Sequence, residues 1–201
     1  MNISEIFYSS QGEGPETGKK AIFIRLGGCN LRCKFCDTKY AYRGKMLQRE
    51  KIINIIKSYP CKHIIWTGGE PTLQINDIIK LIAKLKDYSY NIETNGTNYF
   101  PIRLFHKSII SPKKQMLNIR LIKEYKDYDN VYFKFVIENK KNYEFWKRLV
   151  EKLGIKRDKS FFMPEAKNLK SLNEKSKWLV AKCKKDRFNF SNRLHILNNL
   201  K

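Results

Sequence analysis

His63-Ile64-Ile65-Trp66-Thr67-Gly68-Gly69-Glu70-Pro71 is a short apolar run that stops on two glycines and an acid. Bounded by turn residues, such a run reads as a buried strand. The period changes on either side of it. Asn76 to Asp87 places Ile78, Ile79, Ile82 and Leu85 on one helical face, and Gln48 to Ser58 does the same with Ile52, Ile53, Ile55, Ile56 and then Tyr59. A buried strand between two amphipathic helices is a unit of a parallel sheet covered by helices.

The alternation continues in both directions. Ala21 to Leu26 reads as a strand, as do Tyr90 to Glu93, Ser108 to Ser111 (stopped by Pro112), Val131 to Ile137 and Ser160 to Met163. Asn142 to Leu153 reads as a helix with Phe145, Trp146, Leu149 and Leu153 in the core, and Asn168 to Lys184 reads as a last helix. About six strands are too few to close an eight-stranded barrel. The expected architecture is therefore α/β, a partial, open β/α barrel of parallel strands forming one domain over residues 1–201. Chemistry in such sheets gathers beyond the C-terminal strand ends. The distinctive segments fall there: Gly27 to Cys36, Thr67 to Pro71, Glu93 to Gly96, Ser111 to Lys113 and Met163 to Ala166.

Composition sets limits. With 41 basic and 19 acidic residues the chain carries +22. That excess reads either as a surface for nucleic acid or an acidic partner, or as base composition, since Lys, Ile and Asn all have AT-rich codons. The basic residues are spread out and mostly Lys, so no direct nucleic-acid contact is expected. No stretch approaches the ~18 uncharged apolar residues of a membrane span. Met1 to Glu5 lacks the basic and apolar blocks of a signal peptide. The expectation is a cytoplasmic protein without a membrane partner.

Three of the five cysteines fall within eight residues, as Cys29-Asn30-Leu31-Arg32-Cys33-Lys34-Phe35-Cys36. A disulfide framework would spread them, so a metal site is expected. Three thiolates on a short loop suit an iron–sulfur cluster with one iron left open. Zinc is the alternative, completed by a His or by Cys61. Cys61 and Cys183 by themselves read as buried structural thiols. His63, His106 and His195 are scattered and need not be ligands.

The other strand ends carry polar groups that a plain turn does not require. Gly68-Gly69 is a tight turn that also lets backbone approach a ligand, and Glu70 is an acceptor for an ammonium group. Pro112 fixes the backbone between the Ser111 hydroxyl and the Lys113 ammonium. Glu13, in Gln11-Gly12-Glu13-Gly14-Pro15, stands in what is either an ordinary hairpin or a turn offering a carboxylate to the N–H donors of a pterin or guanine. Arg25 interrupts an apolar run. It is either an end residue reaching solvent or a guanidinium fork for a substrate carboxylate.

The Cys29/Cys33/Cys36 spacing and Gly68-Gly69-Glu70-Pro71, about 30 residues apart in that order, resemble the signature of radical S-adenosylmethionine enzymes. The resemblance implies a [4Fe–4S] cluster on the three cysteines and S-adenosylmethionine (SAM) on its open iron. Gly69 and Glu70 would hold the methionine amino group, Glu93 would face the ribose, and Met163, Pro164, Glu165 and Ala166 would lie near the adenine. Ser111-Pro112-Lys113, Cys36-Asp37-Thr38 and the N-terminal turn narrow the resemblance to the 7-carboxy-7-deazaguanine synthases, and it runs from Glu5 to about Leu197. It implies that Ser111, Pro112 and Lys113 contact SAM and that Thr38 binds Mg²⁺. It further implies that Gln11, Gly12, Glu13, Arg25 and Thr67 hold a pterin, 6-carboxy-5,6,7,8-tetrahydropterin. An adenosyl radical would take hydrogen from C6, and ring contraction with loss of ammonia would give 7-carboxy-7-deazaguanine. A flavodoxin or ferredoxin as electron donor and a homodimer follow by the same analogy. Arg193 to Leu197 resembles the family's ending, whereas Asn198-Asn199-Leu200-Lys201 departs from it. The rivals are an activase that makes a glycyl radical on a protein, which has no need of Glu13, Arg25 and Thr38 as a set, and a basic metal-containing module that binds RNA.

Overall fold

The computed structural model describes residues 1–198, so all but Asn198 of the segment that departs from the family's ending, 198–201, lies outside the described residues. The strands are β1 (Asn2–Ser10), β2 (Lys20–Leu26), β3 (Lys45–Met46), β4 (His63–Gly68), β5 (Ser89–Thr94), β6 (Lys107–Ile110), β7 (Val131–Ile137), β8 (Ser160–Pro164) and β9 (Asn189–Phe190). The helices are α1 (Arg49–Lys57), α2 (Ile75–Ile82), α3 (Ile119–Tyr125), α4 (Lys140–Leu153), α5 (Leu169–Asp186) and α6 (Leu194–Leu197).

One sheet runs in the order β3-β1-β2-β4-β5-β6-β7-β8-β9. From β2 onward every neighbouring pair is parallel, and the six longer of these strands are the expected ones. The sheet is nonetheless mixed. β1 is a nine-residue strand, antiparallel to both β2 and β3. A short connection joins only antiparallel neighbours, and residues 11–19 are such a connection.

Residue period 2 divides each strand between two faces. One face carries Ile22, Ile24, Ile64, Trp66, Ile92, Ile110, Phe133, Phe135 and Phe162, and packs under the helices in the main core. The other face is the inner surface of the curled sheet. It carries a small separate apolar cluster of Phe7, Ala21, Phe23 and Ile65, further apolar residues such as Ile109 and Met163, and the polar Arg25, Thr67, Glu93 and Lys134. No strand ladder joins β1 to β9, so the barrel is open. Loops bridge the gap: Gly14 N donates to Ser191 Oγ (2.9 Å) and Leu194 N to Gly12 O (2.9 Å).

Some element boundaries differ from the periodicity. α2 ends at Ile82, and tighter bonds from Lys84 N to Leu81 O and Leu85 N to Ile82 O continue the turn and still bury Leu85. α4 begins earlier, capped by the Asn139 side chain, and buries Tyr143, Trp146, Val150 and Leu153. Phe145 is consequently 39% exposed and outside the core. Trp146 packs 5.1 Å from the Phe135 ring, which sets the phase of the helix. α3 and α6 are short, and β3 and β9 have two residues each, below what periodicity detects. Cys183 is buried as expected, whereas Cys61 is half-buried. Phe135 is fully buried among Phe133, Trp146 and Phe162. Phe135→Ala is expected to destabilise the fold by about 3–5 kcal/mol, read from urea unfolding.

Candidate active site

The loop carrying the cysteines is stitched to the strand ends through backbone. Gly28 N donates to Ala41 O (2.9 Å), Gly69 N to Leu26 O (2.9 Å) and Glu70 N to Gly28 O (2.8 Å). A Cβ on Gly69 would stand 1.7 Å from Gly28 O, so only glycine permits this approach. Asn95 Nδ2 donates to Asn30 Oδ1 (2.9 Å), and Asn30 Nδ2 donates to Thr97 Oγ1 (2.8 Å). These bonds tie the cysteine loop to the end of β5.

Cys29, Cys33 and Cys36 line one cavity of about 860 Å³, near the upper end of the range for small-molecule sites. All three are free thiols. Burial pushes the Cys29 and Cys33 thiols up; a bound metal reverses that by deprotonating its ligands. The alternative of zinc lacks its fourth ligand. Cys61 Sγ faces Lys20 O and His63 O, at the opposite ends of β2 and β4. His195 shares the cavity but sits 3.8 Å from Glu13. Three thiols on one short loop lining one cavity, without a fourth protein ligand, fit a [4Fe–4S] cluster that would leave one iron open.

The expected site residues mostly meet here. Gln11, Gly12, Glu13, Arg25, Thr38, Thr67, Gly69, Glu93, Ser111, Lys113, Met163, Glu165 and Ala166 all line the cavity. They come from the inner positions of β2, β4, β5 and β8 and from the loops that follow β1, β2, β4, β6 and β8. Lys113 Nζ donates to Ser111 Oγ (2.6 Å). Burial lowers its pKa, and the neighbouring Cys33 pushes it back up. A desolvated ammonium beside thiols suits the carboxylate of a SAM molecule. The Arg25 guanidinium lies 5.6 Å from the Phe7 ring and 5.7 Å from the Tyr40 ring, with Nε 3.4 Å from Glu5. It does not snorkel to solvent: the side chain is 16% exposed.

Glu70, Pro112 and Pro164 are buried and do not line the cavity. Glu70 accepts from Thr72 N (3.0 Å), Thr72 Oγ1 (2.7 Å), Thr94 Oγ1 (2.6 Å) and Asn95 N (2.7 Å). Four donors fill a carboxylate's acceptor sites. Glu70 therefore shapes the ends of β4 and β5 instead of standing open to an ammonium group.

Among the cavity residues not singled out from the sequence as site residues are three with basic side chains that reach Glu13: Lys134, Arg193 and His195. Lys134 Nζ donates to Glu13 Oε2 (2.7 Å) and Glu93 Oε2 (2.8 Å), and Gln11 Nε2 donates to Glu93 Oε1 (2.7 Å). Arg193 Nε donates to Glu13 Oε1 (3.2 Å), and the same guanidinium pairs with Asp37 and with the Ala166 carbonyl. A chain of alternating charge thus runs Glu93, Lys134, Glu13, Arg193, Asp37, from buried Lys134 and Arg193 out to exposed Asp37. Glu13, Asp37 and His195 place ligand atoms within 4.8 Å of one another, and the Arg193 guanidinium bridges the two carboxylates there. Burial pushes Glu13 up, but Lys134, Arg193 and His195 outweigh it and hold the carboxyl well below its ordinary value. The signal for Lys134 was present in the sequence: a lysine within the apolar run of β7 demands a buried partner. Nothing local marks Arg193.

The three-cysteine loop and the strand-end glycines that meet it are those of a SAM-cleaving radical enzyme. Residues 23–163 match the Radical SAM superfamily, to which the chain belongs. A Hyperthermus butylicus protein named 7-carboxy-7-deazaguanine synthase is 36% identical over 98% of this chain and 92% of its own length. Its Aquifex aeolicus namesake is 33% identical over 90% and 86%. Within the superfamily the chain belongs to the 7-carboxy-7-deazaguanine synthase family. In fold, the crystal structure of QueE from Escherichia coli is similar with a TM-score of 0.74 at 23% identity, covering 95% of this chain and 92% of that one.

Gly69→Ala is expected to fold yet lose most of its bound iron, read by iron content and visible absorption after anaerobic reconstitution. The depressed pKa of Glu13 also has a sign. Its contribution to stability is complete above its ordinary value of 4.5 and is lost as pH falls through the lowered one. Urea midpoints measured from about pH 6 to about pH 3 should fall less steeply for Glu13→Gln than for the unmodified chain.

Proposed function

We propose that this chain converts 6-carboxy-5,6,7,8-tetrahydropterin into 7-carboxy-7-deazaguanine with release of ammonia, in queuosine and related 7-deazapurine synthesis. The observation that carries this reading is convergence. Cys29, Cys33, Cys36 and Thr38 share one cavity with Gln11, Glu13, Arg25 and Thr67, although they are scattered from residue 11 to residue 67.

When bound, the cluster and SAM supply one-electron chemistry to the site. The chain's own residues bind and orient. Lys113 and Ser111 face the carboxylate and ribose of SAM, the Gly69 backbone faces its amino group, and Met163 to Ala166 flank the adenine. Glu13, kept ionised by Lys134 and Arg193, accepts from the 2-amino and ring N–H groups of the pterin. Arg25 faces the pterin carboxylate, and Thr67 lies two residues above the apolar Ile65 on the same strand face. Thr38 Oγ1, 3.7 Å from Cys36 Sγ, is the residue that would offer a hard oxygen ligand to Mg²⁺, which would hold the substrate carboxylate. Burying the pterin among fixed dipoles and charges excludes water from the rearranging centre.

The net charge of +22 suits an acidic flavodoxin or ferredoxin as electron donor. A cytoplasmic homodimer completes the reading. Among the described residues no helix is long and apolar enough to cross a membrane.

The test is anaerobic reconstitution with dithionite, SAM and the carboxytetrahydropterin, with the deazaguanine sought by mass spectrometry. Absence of product from an enzyme that still makes 5′-deoxyadenosine would refute the substrate and leave the class. Arg25→Ala should lose roughly 100-fold in kcat/KM for the pterin, as expected for a charge-assisted pair of about 3 kcal/mol, while keeping its iron. Lost iron in that variant would show that Arg25 is structural.

A further inference from the structure

The turn that carries Gln11 and Glu13 joins β1 to β2, and this connection lies at the sheet end opposite the cysteine loop. It is closed by Gln11 N donating to Lys19 O (2.8 Å) and Gly18 N to Gln11 O (2.7 Å). Residues between these bonds do not project outward. They fold into the open barrel, so that Gln11 and Glu13 reach Glu93 and Lys134 on the inner face. A turn bent inward against three buried charges needs an anchor, and the same turn supplies one at Glu16.

The Glu16 side chain is only 7% exposed. Its Oε2 lies 3.1 Å from His63 Nε2 and accepts from Asn91 Nδ2. Its Oε1 accepts from Lys19 Nζ (2.9 Å) and Lys107 Nζ (3.2 Å), with His106 Nε2 at 3.9 Å. His63 and Lys107 are the first residues of β4 and β6, and Asn91 lies between them on β5. One carboxylate therefore collects three adjacent strands at their N-terminal ends. Two residues further up the same faces stand Ile65, Glu93 and Ile109. Asn91 Oδ1 also accepts from Lys107 N (3.0 Å), and His63 Nδ1 is 2.7 Å from Ser89 Oγ, so the donors are themselves held.

We infer that Glu16 is a positioning residue for the pterin: it pins the inward turn to β4, β5 and β6, and thereby sets the height at which Gln11 and Glu13 meet the substrate. This rests on the reading of Gln11 and Glu13 as pterin contacts. Glu16 lies away from the cavity and touches neither cysteine loop nor SAM-facing residues. Its effect is therefore confined to one of the two substrates. Burial opposes ionisation of Glu16, yet His63, Lys19, Asn91 and Lys107 hold it well below the ordinary carboxylate range, as an anchor requires.

The experiment is steady-state kinetics of the reconstituted holoenzyme with Glu16→Gln, which keeps the shape and removes the charge. The KM for the carboxytetrahydropterin should rise roughly tenfold, the loss of about one charge-assisted hydrogen bond. The KM for SAM, the iron content, the cluster's EPR signal and 5′-deoxyadenosine formation without pterin should stay unchanged. Lys107→Met removes one donor and leaves Glu16 its other partners; it should shift the pterin KM the same way by less, and it serves if Glu16→Gln does not fold. An unchanged pterin KM, or an equal rise for SAM, overturns the inference. Glu13→Gln separates the two layers. If it raises the pterin KM while Glu16→Gln is silent, only the anchoring role falls; if Glu13→Gln is itself silent, the pterin-contact reading falls and the anchor with it.

Discussion

The buried Lys134 Nζ lies between two part-buried carboxylates, 2.7 Å from Glu13 and 2.8 Å from Glu93. No charge of this kind is tolerated inside a protein unless its partners are in place. Glu93 belongs to β5, Lys134 to β7 and Glu13 to the turn after β1, so the ammonium is satisfied only when the sheet has curled and the turn has folded inward. Its own pKa shows the balance: burial works against the charged form, and the two carboxylates overcome it and raise it. The interaction ties the curvature of the barrel to the shape of the cavity.

The division of labour between the two sheet faces makes this possible. The outer face is a continuous aliphatic and aromatic layer under the helices, and it stabilises the fold without help from the site. The inner face is free to carry polar groups because it carries little of the core. Its apolar cluster of Phe7, Ala21, Phe23 and Ile65 lies between the polar upper cavity and the Glu16 assembly below. Buried ion chains contribute little net stability against well-packed apolar groups. They do contribute geometry, because each member has one arrangement that leaves no charge unpaired.

Several candidate site positions were legible from local pattern. The cysteine spacing, the two glycines after β4 and the strand-end Ser111-Pro112-Lys113 announce themselves because each breaks an apolar run at the place where parallel sheets present ligands. Arg25 and Lys134 share a second signal, a cation inside an apolar strand. Glu70 was legible as a residue but not in its contacts. Its four donors come from Thr72, Thr94 and Asn95, and no one-dimensional pattern tells a carboxylate that organises a turn from one that waits for a ligand.

The sequence by itself determined the longer elements and their order: six parallel strands of period 2, the longer helices of period 3.6, and polar segments at the strand ends. These follow from interactions among residues near one another in the chain. The tertiary structure decided what meets across it. Arg193 reaches Glu13 and Asp37 over 180 and 156 residues, and Glu16 reaches Lys107 over 91. Contacts of that span depend on how far the sheet curls and on which way one turn folds. Both are settled by the pairing of buried charges, which exists only once distant strands are side by side.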